Sequence, residues 1–336
     1  MPSWIRRLPK VELHVHLDGS LRMKTVQEWA DTLPPQRRFP NRRALREAVI
    51  PSQRCTLEEY LQAFDVTVAM MQSYETLERA AFELCEDAAK ENIIYLEIRF
   101  APLLHTAGDL NPREVVLATL SGIERGHEAT GIEANLILTA LKQGSTEVSM
   151  EVAQLAAQFA KQGVVAIDLA GPERLYPPQI HREAVDLAKD SGLHVTIHAG
   201  ESCCPEQIKA AVDLGAERIG HGVYLFQAPD TETRVVELGI PLETCPTSNL
   251  QISGFMNDYR DHPLKRYDEL GIPVTINTDN RLMSQTDLTH EFEAIVGAFS
   301  FNENDVRRLI RNGVEASFAP EEVKQDLRHR LASVPS

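Results

Sequence analysis

The sequence has few cysteines, no cluster of basic residues and no long apolar run. Its five cysteines are an odd number, two of them adjacent, and no Cys-x-x-Cys spacing occurs, which argues against a disulfide framework or a cysteine zinc site. No stretch approaches the roughly 18 apolar residues of a membrane span, and no apolar leader precedes the first predicted strand. We therefore expect a soluble, cytoplasmic protein in a reducing compartment, with no membrane partner.

The charge balance is acidic, with 34 Lys and Arg residues, 49 Asp and Glu residues and a formal net charge of -15. The basic pairs Arg37-Arg38 and Arg42-Arg43 lie in a proline-rich stretch and form no patch. Because an acidic protein repels phosphate backbones, we expect no nucleic-acid polymer as partner or substrate. The 336 residues, 43% of them hydrophobic, provide ample material for a large core.

Apolar runs alternate with amphipathic helical stretches along the chain. Strands are predicted at about 10–17, 93–100, 132–141, 164–169, 194–198, 218–221, 240–245 and 274–278. This alternation predicts an α/β fold, a (β/α)8 TIM barrel, with a helical insertion at about 19–92 after the first strand and one domain over residues 1–336. A doubly wound open sheet is the alternative, but no Gly-x-Gly-x-x-Gly follows any strand to support its dinucleotide-binding form.

Two histidines lie two residues apart at the end of the first predicted strand. His14 and His16 therefore face the same side of the sheet, and imidazole suits zinc and neighbouring transition metals. The C-terminal ends of barrel strands share one mouth, so His198 and Asp279 should join them there. We expect His14, His16, His198 and Asp279 to bind a single divalent ion, Zn²⁺, with a position left for water.

A carboxylate and a further histidine belong to the same predicted mouth. Glu201 follows His198 by three residues and is the candidate general acid/base. His221 could orient the attacking water or take its proton. Structural alternatives exist for each, since Glu201 could cap the helix beginning near Pro205 and His221 could serve a turn between two glycines. Asp279 alone could end its strand by turn chemistry.

Three other polar features receive no catalytic role. The segment 244–249, Thr-Cys-Pro-Thr-Ser-Asn, is interpreted as a plain polar loop. Cys203 and Cys204 are interpreted as bystanders, because the ligand set is complete without them. Lys142, at the end of the third strand, could be a carbamylated lysine bridging two metals, but that site would need a second ligand set, and none is found in the sequence.

Six short motifs follow one another along the chain. They are Pro9-Lys-Val-Glu-Leu-His-Val-His-Leu-Asp-Gly-Ser-Leu21, Asp168-Leu-Ala-Gly171, His198-Ala-Gly-Glu201, Arg218-Ile-Gly-His-Gly222, Cys245-Pro-Thr-Ser-Asn249 and Asn277-Thr-Asp279. Together they resemble the adenosine deaminase family of the amidohydrolase superfamily, and the likeness runs from about 8 to 318. The resemblance implies one zinc ion per chain and hydrolytic deamination of a purine nucleoside, most simply adenosine or 2'-deoxyadenosine, to inosine or 2'-deoxyinosine and ammonia.

The resemblance also implies roles for individual residues around the purine. Water would attack C6 with help from His221, while Glu201 delivers a proton to ring N1. Asp18 matches a position that contacts the ribose, the backbone at Gly171 matches a contact to ring N3, and His16 matches a position near the substrate. The expected partner is therefore a small-molecule purine nucleoside.

Asn280 departs from the family pattern, because many members have Asp-Asp where this chain has Asp279-Asn280. The second residue contacts purine N7, and a neutral amide can donate a hydrogen bond to that nitrogen. The alternatives are a deaminase of another 6-aminopurine, adenine or 6-aminodeoxyfutalosine, a binuclear amidohydrolase cleaving a cyclic amide or ester, and a binding protein on an inactive scaffold. The complete ligand set together with Glu201 argues against the inactive scaffold.

Overall fold

The computed structural model describes residues 4–31 and 33–334, and its central element is one parallel sheet of eight strands in sequence order. The strands are β1 (Lys10–His16), β2 (Ile93–Phe100), β3 (Glu133–Leu141), β4 (Val164–Ala170), β5 (His194–Ala199), β6 (Arg218–His221), β7 (Leu242–Thr244) and β8 (Val274–Ile276).

Helices connect these strands and complete the chain. They are α1 (Trp4–Arg7), α2 (Met23–Ala30), α3 (Arg42–Val49), α4 (Leu57–Leu61), α5 (Phe64–Met70), α6 (Tyr74–Lys90), α7 (Pro112–Thr130), α8 (Thr146–Phe159), α9 (Arg182–Asp190), α10 (Pro205–Asp213), α11 (Pro229–Leu238), α12 (Pro246–Ile252), α13 (Leu264–Glu269), α14 (Leu288–Phe299), α15 (Glu303–Ala316) and α16 (Glu321–Ala332).

Backbone hydrogen bonds close the sheet into a barrel. The N–H of His16 donates to the carbonyl of Asp279 at 2.8 Å, and the N–H of Asp279 donates to the carbonyl of His14 at 3.0 Å. The residue just after β8 is thereby joined to the end of β1. The predicted (β/α)8 TIM barrel is confirmed, and the C-terminal strand ends share one mouth.

The physical basis of the prediction is visible in the strands themselves. β1 and β2 are buried along their whole length, as parallel strands covered by helices on one side and barrel interior on the other should be. Several helices have clear sequence signals at their N-termini. In α7, the side chain of Asn111 accepts from the N–H of Glu114 while the Glu114 side chain accepts from the N–H of Asn111.

The helical insertion predicted between the first two strands is present as α2 to α6, with one difference. The apolar spacing predicts one helix over 57–71, and the structure has two, α4 and α5, whose buried apolar residues belong to different clusters. Leu57 and Tyr60 of α4 belong to a cluster with Met283, whereas Met70 of α5 belongs to the main core. The prediction of a single domain over residues 1–336 stays a prediction.

Two further features of the structure concern its cysteines and the length and polarity of its helices. Cys203 and Cys204 form a disulfide, whereas Cys55, Cys85 and Cys245 are unpaired. The bond joins adjacent residues and closes no loop, so it provides no framework for the fold. In the part of the chain that the structure describes, no helix is both long enough and apolar enough to cross a bilayer.

Candidate metal centre and active site

Three histidines and one aspartate converge at the mouth of the barrel. One donor atom from each of His14, His16, His198 and Asp279 lies within 4.8 Å of the others. Nε2 of His16 is 3.2 Å from Nε2 of His198. Oδ1 of Asp279 is 3.3 Å from Nε2 of His14 and 3.4 Å from Nε2 of His16. Four ligands around a zinc ion at its usual bond lengths are about 3.3 Å apart, so this cluster fits a zinc-sized divalent ion.

Buried carboxylates orient two of these histidines. Nδ1 of His14 donates to Oε2 of Glu243 at 2.7 Å, and Nδ1 of His198 donates to Oδ1 of Asp168 at 2.9 Å. The proton of each neutral ring is therefore on Nδ1, which leaves the Nε2 lone pair facing the cluster. Nε2 of His14 is buried without a hydrogen-bond partner among the described residues. Such carboxylate–histidine pairs fix the tautomer and raise the basicity of metal ligands.

The two carboxylates belong to a buried ionic network inside the barrel. Arg99 donates to Glu243 at 2.9 Å, and Arg218 donates to Glu243 and to Glu97, each at 2.6 Å. Burial alone would raise the pKa of Glu243, but Arg99 and Arg218 hold it well below its ordinary value. The pKa of Asp168 is lowered in the same way, because His198, which donates a hydrogen bond to it, and the charge of Arg99 outweigh its burial.

We expect Asp168→Asn to weaken metal binding by about 10–100-fold, the usual cost of changing an outer partner of a histidine ligand. Asparagine keeps an acceptor for Nδ1 of His198 but removes the negative charge that makes the imidazole more basic. Competition of the purified protein against a metal chelator measures the dissociation constant. Asp186→Asn, the same change at an exposed position of α9, is the matched control. Equal metal affinity in both variants would contradict the orienting role of Asp168.

Glu201 is held at the mouth by another carboxylate, Glu173. Glu173 accepts from the backbone N–H groups of Gly200 at 2.7 Å, Ser202 at 2.8 Å and Cys203 at 3.1 Å. These bonds fix the turn after β5, where Gly200 has a φ of 65°. Glu201 makes no capping hydrogen bond to α10, so the capping alternative is not realised. Burial, with the charges of Asp279 and Glu173, raises the pKa of Glu201 well above its ordinary value, which favours a protonated carboxyl.

His221 faces Glu201 across the mouth, with its Nε2 3.5 Å from Oε1 of Glu201. It adopts a φ of 67°, a strained backbone conformation that non-glycine residues keep mainly at functional sites. The preceding Gly220 allows close approach, because a Cβ there would lie 3.1 Å from both Cε1 of His14 and Cα of His198. Asp279 is strained in the same way, with a φ of 61°. His221 and Asp279 therefore each adopt a turn conformation and also lie at the mouth, so the turn interpretation and the site interpretation hold for the same residues.

The segment 244–249 is not a plain polar loop, so that interpretation was wrong. Its last four residues begin α12, and two of its side chains contact the site. Ser248 donates to Oδ2 of Asp279 at 2.6 Å, and Asn249 donates to Nδ1 of His221 at 2.9 Å. Composition alone does not place this segment, and only the fold shows that it lies beside the last strand.

Other groupings of potential ligands among the described residues share members with the main cluster. One combines Cys245 with His14 and His221, and another combines Glu201, His221 and Asp279. Burial raises the pKa of the Cys245 thiol well above its ordinary value, so it is a poor metal ligand. Nζ of Lys142 donates to the carbonyl of His198 at 2.6 Å.

Two adjoining cavities lie beside the cluster. The larger, about 220 Å³, is lined in part by His16, Asp18 and Gly171, and the smaller, about 40 Å³, by His16, Gly171, Glu201 and Asn280. Phe64, from the helical insertion, lines both, so the insertion covers the mouth. Larger surface cavities, of about 500 to 670 Å³, contain none of the clustered histidines.

Asn280 presents an amide to the smaller cavity. Its Oδ1 is buried without a hydrogen-bond partner among the described residues, so this oxygen is available to a ligand. Gly19 lies directly against this amide, and a Cβ at that position would collide with it. The glycine that follows Asp18 in the first motif is therefore required by the position of Asn280.

Comparison with known proteins identifies relatives over the whole chain. The adenosine deaminase family model matches residues 9–334. An adenosine deaminase of Clostridium acetobutylicum is 42% identical over 329 residues, covering 97% of this chain and 98% of that protein. One of Clostridium perfringens is 43% identical over 323 residues, covering 96% and 97%.

Solved structures extend the comparison to other purine substrates. An N6-mAMP deaminase from arabidopsis matches with a TM-score of 0.90 and 31% identity, over 99% of this chain and 100% of that chain. An adenine deaminase from Arthrobacter aurescens matches with a TM-score of 0.88 and 25% identity, over 97% and 98%. One barrel thus carries deaminases of a nucleotide and of a free base.

Proposed function

Because the chain belongs to the adenosine deaminase family, we propose that it hydrolyses adenosine, and 2'-deoxyadenosine, to inosine or 2'-deoxyinosine and ammonia. The observation that carries the proposal is the meeting of the metal-ligand cluster with Glu201 and His221 at one mouth, beside a cavity that contains Asp18. The family resemblance predicted from the six motifs is confirmed by the family match.

The metal would be one Zn²⁺ per chain, held by His14, His16, His198 and Asp279. Bound zinc lowers the pKa of water toward neutrality and thereby supplies the nucleophile for C6 of the purine. A binuclear site would need further ligands, and the other ligand groupings of the described residues overlap with this one.

Glu201 and His221 would perform the proton chemistry. A protonated Glu201 can donate to ring N1, which makes C6 more electrophilic, and the resulting carboxylate can then take up a proton from the attacking water. His221 would hold that water through Nε2, the atom that faces Glu201. Both side chains are almost fully buried, so bulk water does not compete for these hydrogen bonds.

The remaining site residues would hold the nucleoside. Asp18 would accept from a ribose hydroxyl, the backbone at Gly171 would contact N3, and the Asn280 amide would donate to N7. His16 would serve both metal and substrate, since it lines both cavities and belongs to the ligand cluster.

The charge of the larger cavity favours a nucleoside over a nucleotide. Of the described residues that line it, Asp18 and Asp65 are acidic and none is lysine or arginine. A 5'-phosphate placed there would be repelled and would lack a charge-assisted partner. Arg37 lies only in the adjoining surface cavity, which also contains Asp65.

A substrate screen on zinc-loaded protein tests the proposal. Adenosine, deoxyadenosine, adenine, AMP and 6-aminodeoxyfutalosine are compared by ammonia release. We expect adenosine to exceed AMP in kcat/KM by at least about 100-fold, because each lost or repelled charged contact costs on the order of 2–3 kcal/mol. Turnover of another 6-aminopurine alone would overturn the substrate assignment, and silence on all five compounds would overturn the deaminase activity.

Asp18→Ala provides a second, internal test of the ribose contact. We expect its KM for adenosine to rise by about 10-fold or more, the cost of one hydrogen bond to a charged group. Adenine has no ribose, so any turnover of adenine should be unaffected. Asp186→Ala, at an exposed position, is the control. An unchanged KM for adenosine would remove Asp18 from the ribose site.

A further inference from the structure

Asn249 lies buried between two histidines, one of them at the active site. Its Nδ2 is 2.9 Å from Nδ1 of His221, and its Oδ1 is 3.1 Å from Nε2 of His262. Asn249 and His221 are fully buried, and His262 is almost so. The position of the proton on His221 therefore depends on whether the oxygen or the nitrogen of this amide faces the ring. The surrounding backbone hydrogen bonds fix the orientation of the amide.

Two backbone N–H groups fix the amide. The N–H of Leu264 donates to Nδ1 of His262 at 3.0 Å, so the proton of this ring is on Nε2, and burial, which lowers the pKa of His262 to about 3, keeps the ring neutral. The N–H of Cys245 donates to Oδ1 of Asn249 at 3.2 Å. The same Asn249 atom thus receives a backbone donor and the His262 donor. Only the oxygen of an amide accepts, so the nitrogen faces His221.

The tautomer of His221 follows from this orientation. An amide nitrogen only donates, so Nδ1 of His221 is the acceptor and the ring carries its proton on Nε2. That atom is buried, has no hydrogen-bond partner among the described residues and points toward Glu201. A nitrogen that already carries a proton does not take another. Of the two roles open to His221, orienting the water fits this tautomer and accepting its proton does not.

We propose that Asn249 is the positioning residue that keeps the proton of His221 on Nε2, so that His221 donates a hydrogen bond to the oxygen of the attacking water. The catalytic half of this inference rests on the proposed deamination. The tautomer itself is a property of the protein without substrate. The proton from the water then goes to Glu201, the remaining base at the mouth.

The tautomer is measured directly by nitrogen NMR. Zinc-loaded protein with ¹⁵N-labelled histidine rings is studied by long-range ¹H–¹⁵N correlation, and His221 is identified by the signals missing from His221→Gln. We expect Nδ1 of His221 to show the shift of an unprotonated nitrogen and Nε2 that of a protonated one. A protonated Nδ1 in the unchanged protein would overturn the proposal, whether or not the protein turns over adenosine.

Asn249→Asp preserves the shape of the side chain but replaces the amide donor that faces Nδ1 of His221 with a carboxylate acceptor. The carboxylate can still accept from His262 and Cys245, and as an acceptor it places a proton on Nδ1 of His221. We expect the NMR pattern at Nδ1 to reverse and kcat for adenosine to fall by about 10–100-fold, with KM and zinc content near those of the unchanged protein. Asn304→Asp, at an exposed position of α15, is the matched control.

The outcomes separate the claim about the tautomer of His221 from the claim that Asn249 positions His221 for catalysis. A reversed tautomer with unchanged kcat would overturn the positioning role, as would an unreversed tautomer in a folded Asn249→Asp protein. A merely structural role for Asn249 would lower stability and zinc content together and would leave the proton of His221 on Nε2. If adenosine is not a substrate of the unchanged protein, the proposed function fails, and the wild-type spectrum still decides the tautomer.

Discussion

Glu201→Gln is expected to lower kcat for adenosine by about 10²–10⁴-fold, the range found when a general acid/base is lost, while leaving zinc bound. Glutamine has nearly the same shape and can still hydrogen-bond ring N1, but it has no proton to give at neutral pH and no charge with which to take one. Glu201 is not among the clustered ligands, so the metal content should stay near one ion per chain. Steady-state kinetics and metal analysis of the same sample give both results.

The control for this variant is the same substitution nearby. Glu206 is exposed at the start of α10, so Glu206→Gln alters the same chemical group five residues along the chain without reaching the mouth. A Glu201→Gln protein that retains wild-type turnover would remove Glu201 from the mechanism. A protein that loses its zinc instead would make Glu201 a support of the metal site.

The barrel was predictable because its strands are largely apolar, as strands buried on both faces are, and end in recognisable motifs. The sequence predicts β2 over 93–100 and α7 over 112–130, and both ranges agree with the structure, since a mostly apolar run and a capped helix start are strong local signals. The break between α4 and α5 was not predictable from periodicity. The apolar spacing continues through it, whereas in the structure the buried apolar residues of α4 and of α5 belong to different clusters.

The innermost site residues were predictable for a different reason. Strand periodicity places His14 and His16 on one face, and barrel topology brings His198 and Asp279 to them, so two general rules define the cluster. No rule of spacing connects Asn249 to His221. Their contact depends on how α12 is placed after β7, which is a tertiary property.

The supporting carboxylates were missed although the sequence contains a signal for them. Asp168 and Glu243 are single acidic residues within apolar strands, and a charge buried in a parallel sheet must be paired. Such a residue near a histidine motif is a candidate partner for a metal ligand. Glu173 gave no comparable signal, because it follows its strand in a polar turn where acidic residues are common.

Removal of the metal is expected to reduce adenosine turnover to background, and one equivalent of Zn²⁺ per chain should restore it. Without the metal, neither His221 nor Glu201 lowers the pKa of a water molecule toward neutrality. Metal removal should also lower the melting temperature. A ligand present at about 100 times its dissociation constant stabilises the folded state by about 2.7 kcal/mol.

The stoichiometry of this restoration separates the mononuclear from the binuclear site. Titration of metal-free protein with Zn²⁺ should reach full kcat at about one ion per chain, because the described residues provide one complete set of four ligands. Recovery that requires about two ions would favour the binuclear alternative, and full activity without metal would contradict the metal centre. Asp168→Asn sharpens the test, because it should shift the titration to higher free Zn²⁺ without changing the end point, since the four ligands themselves remain.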